Sequence, residues 1–188
     1  MINQQQPDLL KQGVATTEPG RRTLAERRAV GRGLRERVPR SSHAAWSPAA
    51  DRPDPISLLE EQDRSRLAQF VPLRYGRMIV SPFGFLRGSA VVMAGDLAAT
   101  PVTGLQVQMG GDAHLQYCEL CGWTLARAHA RSGDPAQVSG YLGANDTFDR
   151  AIASFAQAYA DQTERDHAAL LGAAQAGRIP IETGVKSR

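Results

Sequence analysis

The sequence predicts a mainly α-helical protein with one short β element, and three observations carry that reading. The apolar share is 42%, much of it alanine, while aromatics reach only 6%, a composition that suits helices packed through small side chains around a thin core. Helix-start signals recur: Thr23 with Glu26 three residues on, Asp54 before Pro55, and Asp134 before Pro135. Strand-like alternation, by contrast, is confined to Leu105-Gln106-Val107-Gln108-Met109, where it stops at Gly110-Gly111.

At 188 residues the chain is long enough for one domain with a core, or for one domain and an arm. No apolar run approaches the length of a membrane span, and the amino end lacks the charged-then-apolar pattern of a leader, so a cytoplasmic protein with no membrane partner is expected. The net charge of +3 is uneven, with nine Lys/Arg against four Asp/Glu in residues 1–40. Arginines from Arg21 to Arg40 would attract phosphate backbones. No aromatic residue precedes Trp46 to stack on a base, however, so a solvated helix face is the preferred reading and nucleic acid is not an expected partner.

Residues 1–22 read as a disordered arm without periodicity. Thr23 and Glu26 open a helix that runs to about Val38, weakened by Gly31 and Gly33 by roughly 1 kcal/mol each, and Pro39 ends it. The stretch from Ser41 to Pro55 is loop-like; His43 beside Trp46 reads as packing rather than as a site residue. Asp54 caps the next helix, with Ile56, Leu59, Leu67 and Phe70 as an apolar stripe and Glu60 paired to Arg64 on the wet face. Ser89 to Ala99 forms a small-residue helix in which Val91, Val92 and Leu97 pack and Asp96 lies outside the stripe. A helix through Leu120, Trp123, Leu125 and Ala128 stops at Ser132-Gly133. A short one follows from Asp134-Pro135 to Leu142, closed by Gly143. The last, capped by Asn145 or Asp146, presents Phe148, Ile152, Phe155, Tyr159 and Leu170 on one face and ends before Gly177. Residues from Ile179 onward are expected to fray.

Two groups of residues carry candidate chemistry. The turn Gly110-Gly111-Asp112-Ala113-His114-Leu115 delivers an acid and an imidazole at the end of the short strand, making Asp112 and His114 the candidate catalytic pair. Phosphotransfer loops of the protein-kinase kind place an aspartate there to orient the substrate hydroxyl, and an asparagine five residues later to hold a metal ion. Here that position is Tyr117, a poor magnesium ligand. The second group, Arg74, Arg77 and Arg87, lies in a glycine- and aromatic-rich stretch; their guanidinium forks suit the phosphates of a cofactor, or else bridge acidic side chains and helix ends. A kinase also needs an ordered lysine to hold nucleotide phosphates, and the chain has only Lys11 and Lys186.

His114, Cys118, Cys121 and His129 have a spacing that two thiolates and two imidazoles would need for zinc. The two cysteines nevertheless fall inside a helix-forming run with no glycine or proline between them, and His129 is two turns further on. No metal site is therefore assigned; a Cys-x-x-Cys redox pair is disfavoured too, because no strand precedes it. Two buried, reduced thiols are the preferred account.

Several motifs in order, Arg74-Tyr75-Gly76-Arg77-Met78, Ser81 to Gly88, Gly111 to Leu115, Leu120 to Ala130 and Tyr159 to Asp166, resemble the bacterial family catalogued as domain of unknown function 2252, over roughly Leu24 to Ile179. That family looks kinase-like, with an aminoglycoside-phosphotransferase flavour. The resemblance implies that Asp112 stands at the catalytic-aspartate position with His114 beside it, and that intact members use ATP and magnesium; no cofactor is expected in this chain. It also implies an asparagine where Tyr117 stands, an Asp-rich metal-binding segment, a Gly-rich loop and a lysine, none of which follows. A long segment that separates the Gly-Asp-Ala-His loop from the Cys-Gly-Trp helix in the family is reduced here to Gln116–Leu120. The simplest expectation is an internal deletion near Gln116. It would leave residues 23–115 and 116–179 as two blocks of a partial kinase-like α/β domain without most of its nucleotide-binding sheet, and residues 180–188 as a tail. Three functions follow as expectations: a family remnant without phosphotransferase activity, a helical interaction module with a basic arm, or a small zinc module. In the first, apolar faces stripped of their sheet would be covered by a second copy or another chain.

Overall fold

The computed structural model describes residues 22–107 and 118–183, the side chains of 118–123 and Ala130 excepted. Among the described residues the protein is helical, with eight α-helices, two 3-10 turns and no strand. No described helix is long and apolar enough to cross a membrane.

Helix α1, Leu24–Arg37, begins where the sequence places it. The Glu26 amide donates to Thr23 Oγ1 at 3.2 Å and the Thr23 amide donates to Glu26 Oε2 at 2.6 Å, a reciprocal cap that stabilises such a terminus by about 1 kcal/mol. Its partner is α7, Pro135–Leu142, capped by Asp134. Gly31 and Gly140 lie in the seam between them: a Cβ on Gly31 would collide with the Gln137 carbonyl, and one on Gly140 with the Arg28 carbonyl. Gly31 thus allows the backbones to touch. Gly33 faces open space.

Arginines tie the pair together at its end. Arg35 Nε donates to the Tyr141 carbonyl at 2.9 Å, and Arg40 reaches the Leu142 carbonyl and Asn145 Oδ1. Cations there meet the last carbonyls of α7, where the helix dipole is negative. The chain then makes a 3-10 turn, Arg40–Ala44, against the start of the 29-residue α8, Thr147–Gln175. His43 packs here, as expected, with its ring edge-on to Phe148 at 5.4 Å and Nε2 2.8 Å from the Tyr141 hydroxyl. That hydroxyl donates its only proton to the Val38 carbonyl at 3.0 Å, so His43 Nε2–H is the donor in their bond.

The second half of α8 shares a core with four further helices. These are α2, Pro55–Asp63; α3, Val71–Met78; α4, Pro82–Gly88; and α5, Ala90–Leu97. Asp54 caps α2 with Pro55 at its first position, and Ser81 Oγ accepts from the Gly84 amide to cap α4. The core joins Ile56 and Leu59 from α2, Tyr75 and Met78 from α3, Phe85 from α4, Val92 from α5, Leu170 and Ala173 from α8, and Ile179. Each large member contributes about 1.5–3 kcal/mol by leaving water. α8 closes with Gly177 at φ 69°, the Arg178 amide bonding the Ala173 carbonyl and the Gly177 amide bonding that of Ala174, the paired bonds of a glycine-terminated helix. α6, Cys118–Ser132, ends at Gly133, whose amide returns to the His129 carbonyl.

Several expectations are corrected. Residues 101–107 carry no strand: alternation alone does not make one, and no described segment offers an edge to pair with. Helix α2 stops at Asp63, so Leu67 and Phe70 fall beyond it and stand 67% and 54% exposed instead of joining its stripe. Glu60 is taken by Arg178 at 2.7 Å rather than by Arg64. Along α8 the buried line runs through Ala151 and Tyr159, leaving Ile152 exposed. Ile179 does not fray. It is 4% exposed, and the Glu182 amide bonds the Pro72 carbonyl at 3.1 Å.

Candidate functional site

Of the three arginines singled out as anion ligands, two meet at one place. Arg74 and Arg77 line a cleft of about 600 Å³ together with Arg66, Leu67, Phe70 and Leu73. Arg87 is absent from that lining and sits 5.7 Å over the Phe83 ring. Arg74 is engaged inside the protein: Nη1 donates to Asp63 Oδ1 at 2.6 Å, and Nη2 donates to Gln62 Oε1 at 2.7 Å and to the Gly88 carbonyl at 2.8 Å. The Tyr75 hydroxyl donates to the other oxygen of Asp63, and burial, followed by the Asp63 carboxylate, holds the Tyr75 phenol well above its ordinary range. Burial likewise lowers the Arg74 guanidinium from its usual value. This arrangement clasps the end of α2 to α3 and α4.

A second polar cluster joins the loop before α2 to α5 and α8. Arg52, on the loop before α2, donates from Nε and Nη2 to Asp96 at 2.6 and 2.8 Å, and from Nη1 and Nη2 to Asp166 at 2.9 and 2.7 Å. Tyr159 OH donates to Asp96 Oδ2 at 3.0 Å, and Gln162 Nε2 donates to Asp166 Oδ1 at 2.8 Å. The side chains of Asp96 and Asp166 are only 5% and 6% exposed. Hydrogen bonding to Asp96, with further help from Asp166, holds the Arg52 guanidinium firmly charged against the opposing effect of burial. One cation between two carboxylates, with a phenol and an amide completing the shell, gives each buried acid a hydrogen-bonded partner of opposite charge. The cluster borders a cleft of about 720 Å³ whose lining includes Trp46, Asp51, Arg52, Leu58, Val92 and Asp96.

Asp96, placed outside its helix stripe by sequence reasoning, is therefore among the best-buried polar groups. Its readable trace was on α8: Tyr159, Gln162, Thr163 and Asp166 are polar residues at helical spacing along the buried face. Their partners are remote in sequence, 44 and 114 residues from Arg52 to Asp96 and Asp166.

The candidate catalytic residues Asp112 and His114, with Tyr117, lie outside the described residues. So do three of the four residues of the zinc alternative: His114 and the side chains of Cys118 and Cys121. Among the described residues no group of three His, Cys, Asp or Glu side chains is placed to hold a metal.

Comparison with known proteins adds one relationship. The sequence profile of a family described as an uncharacterized protein conserved in bacteria (DUF2252) matches residues 66–117 and, separately, 115–173. The matches start later than the motifs suggested, at 66 rather than 24, and the first contains Arg74, Arg77, Arg87, Asp112 and His114. No curated protein and no solved structure matches. Because the two matched segments together cover more than half of the sequence, the chain belongs to the DUF2252 family.

Proposed function

We propose that this chain is the helical remainder of a kinase-like domain, joined across a lost middle section, and that it does not transfer phosphoryl groups. The observation that carries the reading is the broken family match, whose two pieces meet at residues 115–117, where the motif order points to a junction at Gln116. A continuous domain would be expected to match in one piece.

The chemistry agrees with inactivity. Phosphoryl transfer relies on positioning and on cations around the moving group, with little covalent work for the protein. Asp112 could accept a hydroxyl proton, yet Tyr117 replaces the expected metal-holding amide and both lysines sit near the ends of the chain. Arg74, the best-ordered of the candidate phosphate ligands, already serves Asp63, Gln62 and Gly88. The two matched segments nevertheless support one another: Tyr75, Met78, Phe85 and Val92 from the first share a core with Leu170 and Ala173 from the second.

ATP consumption by the purified chain, with and without magnesium, tests the proposal. The expected result is background turnover that Asp112→Ala leaves unchanged. Magnesium-dependent turnover that this substitution abolishes would overturn it.

A further inference from the structure

The cleft holding Arg66, Leu67, Phe70, Leu73, Arg74 and Arg77 has a floor and rim of different chemistry. Leu67 and Phe70 bracket the 3-10 turn Ala68–Phe70, with the Phe70 amide bonded to the Leu67 carbonyl at 2.9 Å. Positions three apart eclipse in such a turn, and Leu73 follows after three more residues, on the first turn of α3, so the chain presents an apolar row. Leu67 and Phe70 remain more than half exposed. Large apolar side chains set together in a concavity, rather than scattered, mark a surface that another molecule covers.

Charge narrows the choice of occupant. Asp63 is drawn off by Arg74 and Tyr75; Arg66 Nε reaches it only at 3.8 Å and leans on Gln62 at 3.2 Å. The Arg77 side chain is exposed at the edge of the cleft. The row is thus flanked by two cationic groups whose nearby acid is largely committed elsewhere. A lone phosphate fits this cleft badly. It wants converging donors, whereas two arms of Arg74 point inward to Asp63, Gln62 and Gly88, and the apolar floor offers an anion nothing. A partner that brings both apolar side chains and carboxylates fits both features.

We propose that this cleft docks an acidic amphipathic helix of a partner protein, its apolar face seated on Leu67, Phe70 and Leu73 and its carboxylates facing Arg66 and Arg77. The inference stands on the cleft alone and does not depend on whether the chain transfers phosphoryl groups.

The probe is a fluorescent synthetic helix with leucines at i, i+3, i+4 and i+7 and glutamates elsewhere, titrated with the full chain at physiological salt. Saturable binding is expected, weakened about tenfold or more by Phe70→Ser, by Leu67→Ser and by Arg77→Glu. All three residues are exposed, so the variants are expected to keep the helical circular dichroism of the parent. Replacing the leucines of the probe by glutamine should abolish binding. The proposal fails if the probe does not bind, or if Phe70→Ser and Leu67→Ser both leave its affinity unchanged. Competition by inorganic phosphate or polyglutamate as strong as that by the unlabelled helix would make this a simple anion site and overturn the proposal. A concentration-dependent dimer that Phe70→Ser dissolves would identify a second copy as the occupant, with the same consequence.

Discussion

Replacing Arg52 by methionine removes four contacts of 2.6–2.9 Å from two carboxylates that are about 95% buried. Asp96 keeps only the Tyr159 hydroxyl and the more distant Trp46 indole on its backbone carbonyl, and Asp166 keeps Gln162. Two like charges then share a dry site with no cation between them. Deleting one partner of a buried pair costs about 3–5 kcal/mol, which for a chain of this size is a fall of about 6–20 °C in melting temperature. Thermal melts followed by circular dichroism measure it. A companion triple variant, Arg52→Met with Asp96→Leu and Asp166→Leu, removes both stranded charges and should regain most of the loss, because the penalty lies in the uncompensated carboxylates more than in the missing bonds. Arg52→Lys should fall between, since an ammonium cannot fork to two carboxylates as a guanidinium does. A single variant melting within about 2 °C of the parent, less than 1 kcal/mol, would refute the view that this cluster staples the loop before α2 to α5 and α8.

Glycine substitutions should split by location: Gly31→Ala and Gly140→Ala, which collide with carbonyls across the α1–α7 seam, should destabilise by about 1–3 kcal/mol, whereas Gly33→Ala and Gly172→Ala, which meet nothing, should stabilise by up to about 1 kcal/mol; denaturant midpoints measure both. Thr23→Ala should remove the cap of α1 and lower stability by about 1 kcal/mol in the same assay. Burial depresses the His43 imidazole below its ordinary value of 6.5, so the folded state takes up that proton less readily than the unfolded one. Its contribution is complete above about pH 6.5 and is lost as pH falls through the lower folded value. His43→Phe should flatten that limb of a stability–pH curve.

What the sequence disclosed was local. Thr23, Asp54-Pro55, Asp134-Pro135, Gly143 and Gly177 each act within a few residues of themselves, through caps and positive-φ closures, and the helix ends they set stand where they were expected. Misreadings arose where partners are distant. Glu60 had a plausible mate one turn away in Arg64, but Arg178, brought round by the end of α8, takes it. Ile179 looked like a loose end until Gly177 turned it into the core. Asp96 looked like a surface acid because nothing in α5 announces an arginine on the preceding loop. The glycines of α1 looked alike, and only the neighbouring α7 distinguishes Gly31 from Gly33. For the candidate sites, Arg74 and Arg77 share a cleft, but no local pattern revealed that Asp63 would claim Arg74.

Calorimetric melting of the whole chain with and without magnesium–ATP probes the account at its centre. The two family-matched segments should unfold together in a single transition, at a temperature the nucleotide leaves unchanged. Two separate transitions, or a nucleotide-dependent rise that Asp112→Ala cancels, would contradict it, since a ligand at a hundred times its dissociation constant stabilises by about 2.7 kcal/mol.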